Sequence, residues 1–137
     1  MHRKILIWGL GFSFLSIVLG AFGAHALKSL IHLERLVIFE TGVRYQFMHG
    51  AGLILLSLYS SQQNISGELL KKLSWSSRFF IMGVFCFSGS LYLLAIQSIL
   101  NVAWASILGP ITPIGGLFFM LGWLSWIRVV WLNKVDK

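Results

Sequence analysis

The sequence predicts an all-α polytopic membrane protein: a four-transmembrane-helix bundle with a short amphipathic helix between helices 1 and 2. Three observations carry that prediction. Of 137 residues, 57% are apolar and only 11% charged, against about 45–50% and roughly 25% in soluble domains. The apolar residues gather into runs close to the roughly 20 needed to cross a hydrocarbon core of about 30 Å. The eleven basic residues are shared unevenly between the segments that flank those runs. Four acids, Glu34, Glu40, Glu68 and Asp136, are too few to solubilise 15.4 kDa of protein. A disordered chain is excluded, and the length suits a single domain over 1–137.

The first span is placed at about 5–26, because 5–24 carries no charge. Its start also has the shape of a secretory signal, with Ala24-His25-Ala26 as an Ala-x-Ala cleavage site. The uncharged run exceeds the usual apolar core of about 7–15 residues in a signal, so the span is expected to be retained. Loop 28–40 comes next. There Leu30, Leu33 and Val37 recur at helical spacing, and Lys28, His32 and Arg35 form a second stripe. That pattern suits a short interfacial helix with its apolar side inward.

The second span is expected at 43–61, with polar residues near its start, and the third at 79–99. The last uncharged stretch, 101–127, is longer than one span requires. Within it Thr112 can cap a helix and Pro113 can occupy the first helical position, where a missing N–H costs nothing. This places the fourth span at 113–132. Gly109 and Pro110 then belong to the preceding loop, which either sits in the outer interface or packs back over the bundle.

Charge gives the direction. One side holds Arg3, Lys4, Lys71, Lys72, Arg78, Arg128, Lys134 and Lys137, and the other only Lys28, Arg35 and Arg44. Positive residues favour the cytoplasmic face, so both termini are expected there. Rings agree: Trp8, Tyr59, Trp75 and Trp131 fall at one boundary, Tyr45 and Trp104 at the other. The basic balance is therefore a topology signal and no argument for nucleic acid.

Ionisable residues inside a membrane are candidate functional sites by default. Here His25, Glu40, Arg44, Tyr45, Gln46 and His49 gather in the outer half. Glu40 and Arg44 are four apart in the better order for a helical ion pair, and Gln46 and His49 share a helix face. This is either a polar clasp that fixes the first two helices or a site that binds something. Two histidines permit bis-histidine haem ligation but do not specify it. Paired cysteines, a His-Glu-x-x-His run, a nucleophile elbow and a phosphate-cradling loop are all missing from the sequence. The expectation is no metal, no cofactor and no catalytic residue.

Small residues have a packing meaning, since they let helix backbones approach closely in lipid. Gly9, Ser13, Ser16, Gly20 and Ala24 in the first span, Gly83 and Gly89 in the third, and Gly115 and Gly122 in the fourth are expected at helix contacts. They could equally serve self-association. Cys86 reads as a small apolar packer.

Four blocks taken together resemble a known family. They are Gly20-Ala-Phe-Gly-Ala-His-Ala-Leu-Lys28, Phe39-Glu-Thr-Gly-Val-Arg-Tyr-Gln-Phe-Met-His49, Phe87-Ser-Gly-Ser-Leu-Tyr92 and Gly109-Pro-Ile-Thr-Pro-Ile-Gly-Gly116. The family is the small membrane proteins called domain of unknown function 423, which includes animal transmembrane protein 256. The resemblance implies a four-span protein of the bacterial inner membrane, or of mitochondria in eukaryotes, and brings no catalytic role. The function expected from all of this is a non-enzymatic membrane component that meets the bilayer, copies of itself or other partners. Its alternatives are a small oligomeric transporter or channel subunit using the polar cluster, and a haem-binding or other intramembrane enzyme. No small-molecule ligand can be named.

Overall fold

A computed structural model describes residues 2–61, 65–100 and 105–135. All elements are helical: α1 (His2–His25), a 3₁₀ turn (Leu27–Ser29), α2 (Leu33–Ser60), α3 (Gly67–Gly83), a π turn (Val84–Ser88), α4 (Gly89–Leu100) and α5 (Ala105–Val135). Since α3, the π turn and α4 run on as one 34-residue rod, the chain makes four long helices. Three of them, 2–29, 67–100 and 107–133, are long and apolar enough to cross a membrane. Trp104, Asp136 and Lys137 lie outside the described residues.

The 28 residues of α2 form one helix of about 42 Å. The expected interfacial helix at 28–40 is therefore not a separate element. Lys28 sits in the 3₁₀ turn, and the chain from Leu33 onward is the first part of α2. Nothing between Glu40 and Tyr45 stops the helix, because a lone Gly42 lowers propensity without breaking the ladder. The direction of the stripe also differs from expectation. Leu30, Leu33 and Val37 are exposed, while Leu36, Phe39, Gly42, Gln46, His49, Leu53 and Leu56 form the buried line.

Two further starts move. Ser66 caps α3 by accepting from the Leu69 amide at 3.4 Å, so Lys71, Lys72 and Arg78 lie on its first turns rather than in a loop. Glu68 and Lys72 form an ion pair there at 2.9 Å. In α5 the helix already runs at Ala105, with Pro110 and Pro113 inside it. Thr112 is thus no cap. Its hydroxyl meets the Ser90 hydroxyl at 2.7 Å, tying α5 to α4, and lies 3.4 Å from the Leu108 carbonyl. Prolines are tolerated inside membrane helices where hydroxyls and neighbouring helices re-satisfy the backbone. The described part of the 101–112 loop is accordingly helix.

The bundle is two close pairs, α1 with α2 and α3 with α5, joined through α2, the π turn and α4. In the first pair the backbones nearly touch. A Cβ on Gly9 would lie 2.9 Å from the Gly50 carbonyl oxygen, and one on Gly50 would lie 2.7 Å from the Ser13 hydroxyl. In the second pair rings fill the glycine gaps: Phe119 covers Gly83 and Phe80 covers Gly122. Gly115 lies against the backbone of Phe87 in the π turn. Gly20 has only ordinary contact with Val43, Gly89 has no neighbour within 4 Å, and Ala24 is exposed. Those three do not hold helices together.

Candidate functional site

Five of the six sequence-selected residues lie on α2, which separates them. Helical geometry explains how: at 3.6 residues per turn, Glu40 and Arg44 lie roughly 120° and 160° around the helix from Gln46, whereas His49 lies roughly 60° from it. Gln46 and His49 are buried, at 2% and 3% exposure. Glu40, Arg44 and Tyr45 are exposed, and so is His25 at the end of α1. Among the described residues the ion pair is Glu68–Lys72, and Glu40 and Arg44 form none. The Glu40–Arg44 ion pair that the spacing allows is not formed, and both side chains are exposed rather than buried.

Gln46 is a three-helix junction. Its Nε2 donates to the Phe12 carbonyl of α1 at 3.0 Å, and its Oε1 accepts from the Tyr92 hydroxyl of α4 at 2.9 Å. His49 is held as closely. Its Nδ1 lies 2.8 Å from the Tyr45 carbonyl, and its Nε2 lies 3.2 Å from Trp123 Nε1 of α5. An indole nitrogen can only donate and a carbonyl can only accept. The arrangement therefore fixes one state: neutral imidazole, protonated on Nδ1, accepting at Nε2. The ring stacks on Phe119 at 3.5 Å between centroids and 8° between planes. Phe80 meets it edge-on at 5.3 Å.

This geometry limits the chemistry. Both nitrogens of His49 are engaged within the protein, Nδ1 with the Tyr45 carbonyl and Nε2 with the Trp123 indole. Among the described residues, no three His, Cys, Asp or Glu side chains converge. A largely apolar groove of about 600 Å³ opens onto the site, lined by His49 itself with Tyr45, Met48, Phe119, Met120 and Trp123. Its lining offers aromatic and thioether surface rather than charge.

A second tie lies nearer the N-terminal end of α2. Arg35 Nη1 donates to the Leu94 carbonyl of α4 at 3.0 Å. With the Gln97 amide turned so that its oxygen faces the guanidinium, Oε1 accepts from Nη2 at 2.7 Å and from Nη1 at 2.9 Å. Helical spacing alone assigns Arg35 to a surface stripe, and no local pattern connects it to a glutamine 62 positions away. Gly42 and Gly50 are absent from the expected packing residues, yet the structure places them at the tightest contacts of α2. Their signal lies in the spacing: Gly42, Gln46, His49 and Gly50 follow the 3–4 repeat of a buried face.

Known proteins resemble this chain over most of its length. The family described as "Protein of unknown function (DUF423)" matches residues 19–116. A UPF0382 membrane protein of Staphylococcus haemolyticus is 39% identical over 125 residues, 91% of this chain and 93% of that protein. The UPF0382 membrane protein YwdK of Bacillus subtilis is 35% identical over 122 residues, covering 89% and 91%. The UPF0382 inner membrane protein YgdD of Escherichia coli is 36% identical over 121 residues, covering 88% and 84%. No solved structure matches. The expected family and the membrane character are thereby both established: this chain is a membrane protein and belongs to the DUF423 family.

Proposed function

We propose that this protein is a four-span, non-enzymatic component of the bacterial inner membrane that works by associating with copies of itself or with other membrane proteins. One observation carries the reading. Two polar groups buried at the centre of the bundle, Gln46 and His49, are matched to partners on α1, α4 and α5. They act as a clasp that sets the bundle's shape, and the outward faces of α1 and α5 are apolar. On α1 the outward stripe is Ile7, Leu10, Phe14 and Ile17, and on α5 it is Leu117, Leu121, Leu124 and Ile127. Glu40 and Arg44 face outward from α2, which suits headgroups or a partner better than a conduction path.

The four-span count rests on α2. Its charges Glu34, Arg35, Glu40 and Arg44 occupy the first three turns, and 45–60 is uncharged. Four spans keep the eight-to-three basic asymmetry on one side and place both termini in the cytoplasm. Reporter fusions after Ser61 and after Lys137 should both read cytoplasmic, and a periplasmic reading at either overturns this topology. In the same membranes, cysteines placed at Phe14 or Leu124 in a Cys86→Ala background should cross-link to a second copy or to a discrete partner. Monomer at both positions would remove the support for association through these faces.

A further inference from the structure

The opposite end of the bundle carries a second constellation that the clasp does not use. His2 of α1 and Gly67, Leu70, Lys71, Ser74, Trp75 and Arg78 of α3 line a cavity of about 340 Å³. On α3 the positions 67, 71, 74, 75 and 78 recur at 3–4 spacing, so one stripe faces the first turn of α1. Arg78 lies over the Trp75 indole at 4.9 Å from the ring centroid. Glu68 is bound to Lys72 at 2.9 Å and is not among the lining residues. Neither Lys71 nor Arg78 forms an ion pair among the described residues, although Glu68 lies close enough to Lys71 to feel its charge.

His2 is fixed on the other wall. The Ser57 hydroxyl donates to the His2 carbonyl at 2.9 Å, and the Ser60 hydroxyl donates to the Ser57 carbonyl at 2.9 Å. With its proton used in that bond, Ser60 Oγ accepts from His2 Nδ1 at 2.5 Å. The His2 ring is thereby held on the cavity wall through its Nδ1. The cavity therefore has walls from two helices, two cations, a hydroxyl and an imidazole edge.

Its depth matters as much as its chemistry. The uncharged stretch of α3 begins at Phe79, so Arg78, Trp75 and Lys71 lie within about 12 Å of it along the helix axis. That is the headgroup level, where indoles settle and where basic pockets between helices take anionic lipid headgroups. We propose that this cavity binds a phosphate-bearing anion at the membrane surface, with Lys71 and Arg78 as the charge partners, Ser74 as a hydrogen-bonding group and Trp75 positioning the guanidinium. A phospholipid headgroup and free phosphate share this chemistry.

The test uses the full chain in detergent, titrated with phosphatidylglycerol or phosphatidylcholine and read by native mass spectrometry. Phosphatidylglycerol should be bound in preference to phosphatidylcholine. The preference should fall about fivefold for each cation removed, in Lys71→Ala and in Arg78→Ala. Lys28→Ala, which removes a cation at the far end of the bundle, should retain it. Both targets are exposed, and an unchanged gel-filtration profile verifies that the variants fold. Lys71→Arg should restore binding that Lys71→Ala loses. Inorganic phosphate distinguishes the sources: displacement of the lipid at millimolar phosphate identifies a free-anion site, and persistence of the lipid identifies a headgroup site. Equal binding of the two lipids with no phosphate bound, or a preference that survives the Lys71→Ala/Arg78→Ala double variant, overturns the proposal.

Discussion

Two faces of α2 carry polar groups in opposite surroundings. Glu40 and Arg44 are exposed, while two residues further on Gln46 lies on the buried line that runs from Leu36 through His49. The difference is register. A rotation of about 100° per residue carries neighbouring polar groups from the bundle's outside to its centre. One helix thereby divides two tasks between its faces. Inner groups meet donors and acceptors of complementary geometry, and outer groups are left exposed on the bundle's surface.

The comparison breaks most visibly at Gly50, on the inner side. Gly50→Leu would drive a side chain into Ser13 and the α1 backbone. Overpacking costs about 1–3 kcal/mol, occasionally more, and a backbone obstacle cannot rotate away, so the upper end is expected. Thermal unfolding in detergent should show a large loss, and a variant as stable as the parent would refute the close α1–α2 approach.

A smaller effect tests the clasp itself. His49→Phe keeps a ring against Phe119 but leaves the Trp123 indole N–H without an acceptor. Hydrogen bonds between membrane helices are worth about 0.6 kcal/mol on average and at most about 1.7, so a loss of about 1 kcal/mol is expected. A double-mutant cycle with Trp123→Phe should return a coupling of about 0.6 kcal/mol. Additive losses would mean that the two side chains do not interact.

The smallest effect sharpens the contrast. Glu40→Ala, Arg44→Ala and their combination should each change stability by no more than about 0.5 kcal/mol, as for ordinary surface positions. If Arg44→Ala alone destabilises and the double replacement recovers the loss, the two form a buried pair and the outer end of α2 belongs to the clasp after all.

Much of the site is legible as residue types. Gln46 and His49 stand out because polar groups in an apolar run are expensive and must find partners. Tyr92 and Trp123 do not stand out, since an aromatic in a membrane helix is ordinary. Their roles arise from contacts 46 and 74 positions away in sequence. Arg35 shows the same limit, being tied to α4 through Leu94 and Gln97.

The sequence by itself determined the environment, the helical class and the family, because these depend on summed hydrophobicity, run length and ordered local blocks. It also picked out Gly9, Gly83, Gly115 and Gly122, since small residues in lipid have few uses besides close packing. Only the tertiary structure decided where α2 and α5 begin, because a potential cap such as Thr112 loses to helix continuation when a neighbour such as Ser90 occupies its hydroxyl. It likewise decided which polar residues face inward. Local spacing leaves a helix free to turn about its axis, and only packing against α1, α4 and α5 fixes that angle.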